Sequence, residues 1–375
     1  MPRVVILQKS LPQYREPFFT GLREKLAEDN ITLELIYGNS DEGRKDGVKM
    51  DWATYRKNRH YNLGLMKLIW QPCLKEVRTA DLVIVEQANK LLINYVLLWR
   101  KLFGRQRFAF WGHGLDRQAH KLSPQNLFKR LMLKRASWWF AYTGGVRDFL
   151  VRNGYAAERI TVVQNAIDTR RMITEYNQVS AEELEDFRLQ HGIKPGEQLL
   201  IYCGALYKEK RIDFLVETAD RLHQAGVSFR LVIVGSGPDE QLVKEAADSR
   251  PYILFTGPLF GKEKAKMFHL SSLFLLPGAI GLAVLDSFAY ATPIVATDYR
   301  FHGPEFDYLV NDYNGVITEN NIGAYVVGVL SLLNDPARLE SLKKNCREEA
   351  GRYTNESMVQ NFAAGIKAFL ARQKN

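Results

Sequence analysis

The strongest chemical signal in the chain is the segment 275–298, Leu-Leu-Pro-Gly-Ala-Ile-Gly-Leu-Ala-Val-Leu-Asp-Ser-Phe-Ala-Tyr-Ala-Thr-Pro-Ile-Val-Ala-Thr-Asp. It reads as a strand, a loop bearing Gly278 and Gly281, a helix over 282–290 and a proline-led strand. A glycine-bearing loop that enters a helix presents unpaired backbone N–H groups and the positive end of the helix dipole, which suit a phosphate or ligand hydroxyls. Asp286, one turn into that helix, could accept two hydrogen bonds from a ribose diol. An ordinary βα turn with a solvated Asp has the same residue types, and a glycine turn alone does not choose between the two. In the first half, Phe110-Trp-Gly-His113-Gly follows an expected strand and sets His113 at its carboxyl end, where open α/β sheets bind ligands. A lone imidazole there serves equally as a structural hydrogen-bonder. Tyr14 and Arg15, in the loop 9–15 after the first strand, either shape an acceptor site or pack. The other six histidines lack ligand spacing, no acidic pair resembles a D-x-D site, and Cys73, Cys203 and Cys346 are too scattered for a zinc cluster or a disulfide framework.

These residues need elements to hold them. Short β-branched runs at 4–8, 31–37, 82–85, 108–111, 138–142 and 160–163, then at 199–203, 229–234, 253–255, 273–276 and 294–296, alternate with helical patterns such as 16–28, whose buried stripe is Phe18, Phe19, Leu22 and Leu26. Repeated βα units imply parallel sheets. The expected class is α/β, with two Rossmann-like doubly wound domains facing a cleft. The first spans 1–170, a Glu-rich linker 171–197 follows, and the second spans 198–352. A final helix within 353–375, with Met358, Phe362, Ile366 and Phe369 at helical spacing, is expected to pack back on the first domain.

The 275–298 segment resembles the donor-site signature of retaining family 4 glycosyltransferases, P-S-x-x-E-G-F-G-L-x-x-x-E-A-x-A-x-G-x-P-V-V. Four other pieces are similar to family motifs in the same order. They are Tyr202-Cys-Gly204-Ala-Leu-Tyr-Lys208-Glu-Lys210 for G-R-L-x-x-E-K, Val232-Ile-Val-Gly235-Ser-Gly-Pro for V-G-x-G-P, and Val162-Val-Gln-Asn-Ala-Ile-Asp for P-N-G-V-D. Gly303-Pro-Glu305 with Asn314-Gly315 matches G-G-x-x-E and x-G. The resemblance implies the GT-B fold, no metal or other cofactor, a nucleotide-sugar donor and a glycan or lipid-linked acceptor. It implies a donor site of Gly204, Lys208, Lys210, Gly235, Gly278, Ala279, Ile280, Gly281, Leu282 and Asp286. Phosphate binding would fall to Lys210 with Lys208 near it, ribose binding to Asp286, and a catalytic role to His113 and Lys210. Departures from the pattern are specific: the first Glu of the E-x7-E pair is Gly278, the second is Asp286, and the Arg of G-R-L is Ala205. With no carboxylate at 278, sugar recognition is expected to rest on the backbone N–H groups of Ala279, Ile280 and Gly281. An epimerase or hydrolase on the same fold, or a non-catalytic nucleotide-sugar-binding module, stays open beside the transferase.

Charge divides the chain unevenly. Residues 1–170 hold 29 Lys and Arg against 16 Asp and Glu, and the rest 22 against 26. The basic half, with mixed apolar and basic stretches at 91–107 and 126–135, suits either an anionic membrane surface or helices with solvated basic faces. No helix-turn-helix, RNP or zinc-finger pattern supports a nucleic-acid partner. The start, Met1-Pro-Arg, runs into 4–7, too short a run for a secretion signal, and the expected setting is cytoplasmic and peripheral to the membrane.

Overall fold

Parallel strands covered by helices on both faces have no polar side to present, so their sequences run almost continuously apolar. In the computed structural model, which describes residues 1–39, 48–64, 66–104, 106–114 and 133–373, such strands build two sheets. The chain divides into two compact units, Met1–Ile167 with Asn355–Asn375, and Asp168–Thr354.

The first unit contains β1 (Arg3–Gln8), β2 (Thr32–Tyr37), β3 (Thr54–Tyr55), β4 (Arg59–Leu63), β5 (Met66–Trp70), β6 (Leu82–Glu86), β7 (Phe108–Gly112), β8 (Trp138–Ala141) and β9 (Ile160–Val162). β4 and β5 pair as an antiparallel hairpin, and the others form a parallel sheet in the order β3-β2-β1-β6-β7-β8-β9. On one face Val5, Val83, Phe108, Phe110 and Trp139 pack with Val77, Ile93, Leu97 and Leu150 of the helices Leu74–Val77, Leu92–Leu102 and Gly144–Arg152. The other face is covered by the helices Glu16–Glu28 and Asn355–Ala371. Phe362 of the last helix stacks on Phe140 with ring centroids 4.3 Å apart and meets Trp111 at 5.0 Å and Phe18 at 5.3 Å. Burying such a side chain contributes about 1.5–3 kcal/mol. The end of the chain is therefore part of the first unit's core.

The second unit contains β10 (Gln198–Cys203), β11 (Phe229–Val234), β12 (Ile253–Gly257), β13 (Ser271–Leu276), β14 (Ile294–Thr297) and β15 (Gly315–Thr318), all parallel, in the order β12-β11-β10-β13-β14-β15. In each sheet the direction of strand order reverses beside the unit's first strand, between β1 and β6 and between β10 and β13. These are the switch points at whose carboxyl ends open α/β sheets hold ligands.

One expectation needs correction. Residues 171–197 are not a linker: they fall mostly in the helices Thr169–Asn177 and Ala181–Gln190 of the second unit. Ser180 and Glu183 form a capping box, Tyr176 stacks on His269 at 3.8 Å, and Glu183 pairs with Lys262 at 2.5 Å. The Glu-rich composition is that of a solvent-facing helix with one buried aromatic, Phe187. The strands β3 and β15 and the β4–β5 hairpin carry little apolar alternation and were not anticipated.

Candidate functional site

At the second unit's switch point the loops after β10 and β13 are pressed together backbone to backbone. The Ala279 N–H donates to Glu209 O at 2.8 Å, and the Lys210 ammonium donates to Ala279 O. A Cβ on Gly278 would stand 2.4 Å from Glu209 O and 2.5 Å from the Lys210 carbonyl carbon. No side chain fits at 278 unless the turn moves. The loop after β11 comes equally close, since a Cβ on Gly235 would lie 1.9 Å from Gly204 O. Glycine at both positions is what this approach requires. The absent Glu at 278 thus goes with a loop that leaves no room for a side chain there.

A third segment braces that loop. The Ile280 N–H donates to His302 Nδ1 at 3.1 Å, which leaves the imidazole proton on Nε2, 2.8 Å from Thr297 O. The Gly303 N–H donates to Ile280 O at 2.6 Å. Glu305 is buried, with its Oε2 3.7 Å from where a Gly281 Cβ would stand. Of the three N–H groups expected to face a sugar, those of Ala279 and Ile280 are therefore engaged inside the loop cluster. Gly281 lies beside Glu305, and Leu282 leads into the helix Ala283–Ala289.

The charged groups are unequal. Burial pulls the Lys210 pKa down to about 8, whereas Lys208 is exposed. Arg211, in the left-handed region at φ 58°, lies over the rings of Phe214 at 4.1 Å and Tyr299 at 5.1 Å and donates to Pro277 O at 3.4 Å. It brings a cation to the ends of β13 and β14, and no motif flagged it. The Asp286 carboxylate, 6% exposed, pairs at 2.8 Å with Lys264 of the helix Gly261–Leu270. Burial disfavours the Lys264 ammonium, but Asp286, with smaller help from Cys203 and Tyr290, outweighs it and raises the pKa. Nothing in the sequence around 264 announced this partner. Among the described residues no three His, Cys, Asp or Glu side chains cluster as a metal site would need.

The first unit's switch point differs. The Lys9 N–H donates to Glu86 Oε1 at 2.8 Å, and burial raises the Glu86 pKa. His113 follows β7, exposed, with its ring edge-on to Tyr142 at 4.8 Å. Tyr14 is 45% exposed and Arg15 only 4%. The Arg15 guanidinium donates to Asn165 Oδ1 and to Met358 Sδ, and lies 5.1 Å from the rings of both Tyr14 and Trp111. The Arg15 side chain is thus packed among these groups. Asp116 and residues 126–132 of the second basic stretch lie outside the described residues.

Residues 184–349 match the family described as Glycosyl transferases group 1. The chain is 27% identical over 264 residues to the GDP-mannose-dependent alpha-(1-6)-phosphatidylinositol dimannoside mannosyltransferase of Mycobacterium tuberculosis, covering 68% of this chain and 66% of that protein. It is 23% identical over 220 residues to the alpha-monoglucosyldiacylglycerol synthase of Acholeplasma laidlawii, covering 57% of this chain and 54% of that protein. The chain thus aligns with slightly less than two thirds of one relative's length and about half of the other's. Among solved structures, Anabaena Alr3699/HepE in complex with UDP superposes with a TM-score of 0.70 at 16% identity, over 98% of this chain and 100% of that one. WaaG, involved in lipopolysaccharide biosynthesis, gives 0.65 at 14%, over 96% and 98%. The chain shares the fold of these solved structures, two parallel-sheet α/β units, and its second unit carries the stretch that matches the group 1 glycosyl transferases.

Proposed function

We propose that the protein is a retaining glycosyltransferase that moves a sugar from a nucleoside-diphosphate sugar to a glycan or lipid-linked acceptor, in surface polysaccharide or glycolipid assembly. One observation carries the reading: the desolvated Lys210 ammonium fixed at the second unit's switch point. A diphosphate gains charge as it departs and the sugar becomes oxocarbenium-like, and cations already in place stabilise that charge without reorganising. Lys210, with Lys208 and Arg211 near it in the chain, is assigned that task, so the reading invokes no metal or other cofactor. Asp286 is assigned to the ribose, Gly281 and Leu282 to the sugar side of the donor, and His113 to the transferred sugar. Retention follows if the departing phosphate oxygen takes the acceptor's proton on the same face. Relatives named for phosphatidylinositol dimannoside and diacylglycerol support a lipid-bearing acceptor. The protein is placed at the cytoplasmic face of an anionic membrane, without a nucleic-acid partner.

Incubation with UDP-, GDP- and dTDP-sugars, with and without glycan and lipid acceptors, tests this. Sugar transfer that requires the acceptor is expected. Acceptor-independent hydrolysis, epimerisation, or binding without turnover would each replace the reading with one of the alternatives.

A further inference from the structure

We infer that the first unit carries a site for the phosphate headgroup of an anionic phospholipid at the amino end of its sheet. This specifies the membrane partner proposed above and does not depend on the transfer activity.

The helix Leu92–Leu102 follows β6, which ends at Glu86, and precedes β7, which begins at Phe108. Its last turn therefore lies at the amino ends of the strands, while Glu86 and His113 lie at the carboxyl ends, a five-residue strand of about 17 Å away. Ile93 and Leu97 face the core, but Trp99, Leu102 and Phe103 are 57%, 61% and 60% exposed, and the Trp99 and Phe103 rings lie 4.9 Å apart. Single exposed apolar residues are ordinary, whereas three together that serve no core contact mark an interaction surface.

Beside them is a recess of about 400 Å³ lined by Leu74, Lys75, Arg78, Val96, Trp99 and Arg100. Its apolar part is Leu74, Val96 and Trp99, and its charge is three cations. Among the described residues none of Lys75, Arg78 and Arg100 has a hydrogen-bond or ion-pair partner, and the Arg100 Nε is buried without one. The neighbouring carboxylate of Glu76 is occupied by Arg56 at 2.8 Å. Lys101 turns away to donate to Arg135 O at 2.6 Å.

Unpaired guanidinium N–H groups and an ammonium around one recess call for an acceptor with several oxygens, and a phosphate supplies them. A free phosphate would not use the aromatic rim. A lipid would: aromatic side chains settle at headgroup depth while Lys and Arg meet phosphates. Among the described residues no helix is long and apolar enough to cross a membrane, so the contact is with its surface.

The test uses the full chain with phosphatidylcholine vesicles, with and without phosphatidylglycerol. Sedimentation is expected only with phosphatidylglycerol, and Lys75→Glu with Arg78→Glu should lower partitioning roughly tenfold or more. Arg59→Glu with Lys67→Glu, an equal charge change on the exposed β4–β5 hairpin, should leave partitioning near wild type. Trp99→Phe should still bind but should lose the blue shift that vesicles cause in tryptophan emission. Equal binding to neutral vesicles, an equal loss in the hairpin variant, or an unchanged blue shift in Trp99→Phe would each overturn the site.

Discussion

The two units place different materials at the same topological position. At the second unit's switch point, glycines at 235 and 278 let backbones touch and the nearby cations are Lys210 and Arg211. At the first unit's, a carboxylate, Glu86, accepts the Lys9 N–H. A diphosphate brought to Lys210 meets opposite charge, while one brought to Glu86 meets like charge once that group ionises. Both sheets are parallel and doubly wound, so topology does not assign the donor to one of them. The proposed assignment of an anionic donor to the second unit and a hydroxyl-bearing acceptor to the first therefore rests on the residues just past the strand ends, although Lys9, Lys90 and Arg15 offset part of the Glu86 charge.

The sharpest way to break this contrast is at Asp286. Asp286→Ala would leave Lys264 buried without its partner and should cost about 3–5 kcal/mol of stability, measured by urea unfolding. Asp286→Ala with Lys264→Met should recover most of that, and the double variant should still bind nucleotide about 1–3 kcal/mol more weakly if Asp286 grips the ribose. Full nucleotide affinity in the double variant would leave Asp286 a purely structural acid.

Lys210→Ala comes next, with turnover reduced by about 10²–10³ and no loss of stability in unfolding below about pH 8, where the substitution removes a burial penalty. The pH dependence sharpens it. A Lys whose folded pKa is lowered to about 8 loses its proton in the native state before the unfolded state does, so its burial penalty is fully present below about 8 and fades as pH rises toward 10.5. Donor affinity should move the other way, falling as the ammonium is lost above about pH 8. Titrated nucleotide binding should show this fall in the wild type and not in Lys210→Arg, and a fall that persists in Lys210→Arg would belong to another group.

Gly278→Ala should cost about 1–3 kcal/mol, because the added carbon meets backbone that must shift. Gly278→Glu should not improve turnover. A stable and faster Gly278→Glu enzyme would show that the tight loop is incidental. The smallest effect is expected at Glu86. Its raised pKa means that its stabilising contribution is present when it is protonated and is lost as pH rises from the ordinary carboxylate range through the raised value. Glu86→Gln should therefore be within about 1 kcal/mol of wild type at neutral pH, and its melting temperature should vary less with pH across that range.

Much of this was legible beforehand because it is written in apolar runs. Every strand expected from β-branched stretches is present, as are the helices Glu16–Glu28 and Asn355–Ala371. β3, β15 and the β4–β5 hairpin escaped because short edge or polar strands carry no such pattern. Motif order also brought Lys210, Gly278 and Asp286 into view. What it could not supply was partners distant in sequence. Lys264 reaches Asp286 across 22 positions, His302 reaches Ile280 across 22, and neither pair leaves a local periodicity. Arg15 shows the converse, since its place in a strand-end loop suggested a ligand contact while Trp111, Asn165 and Met358 enclose it.

Proton NMR of the anomeric centre in the product of an α-linked nucleoside-diphosphate sugar and a lipid or glycan acceptor tests the central claim most directly. The account predicts an α-linked product, formed by the wild type and by Glu86→Gln alike. A β-linked product whose formation stops in Glu86→Gln would contradict it, because the first unit's carboxylate would then be the base of an inverting enzyme.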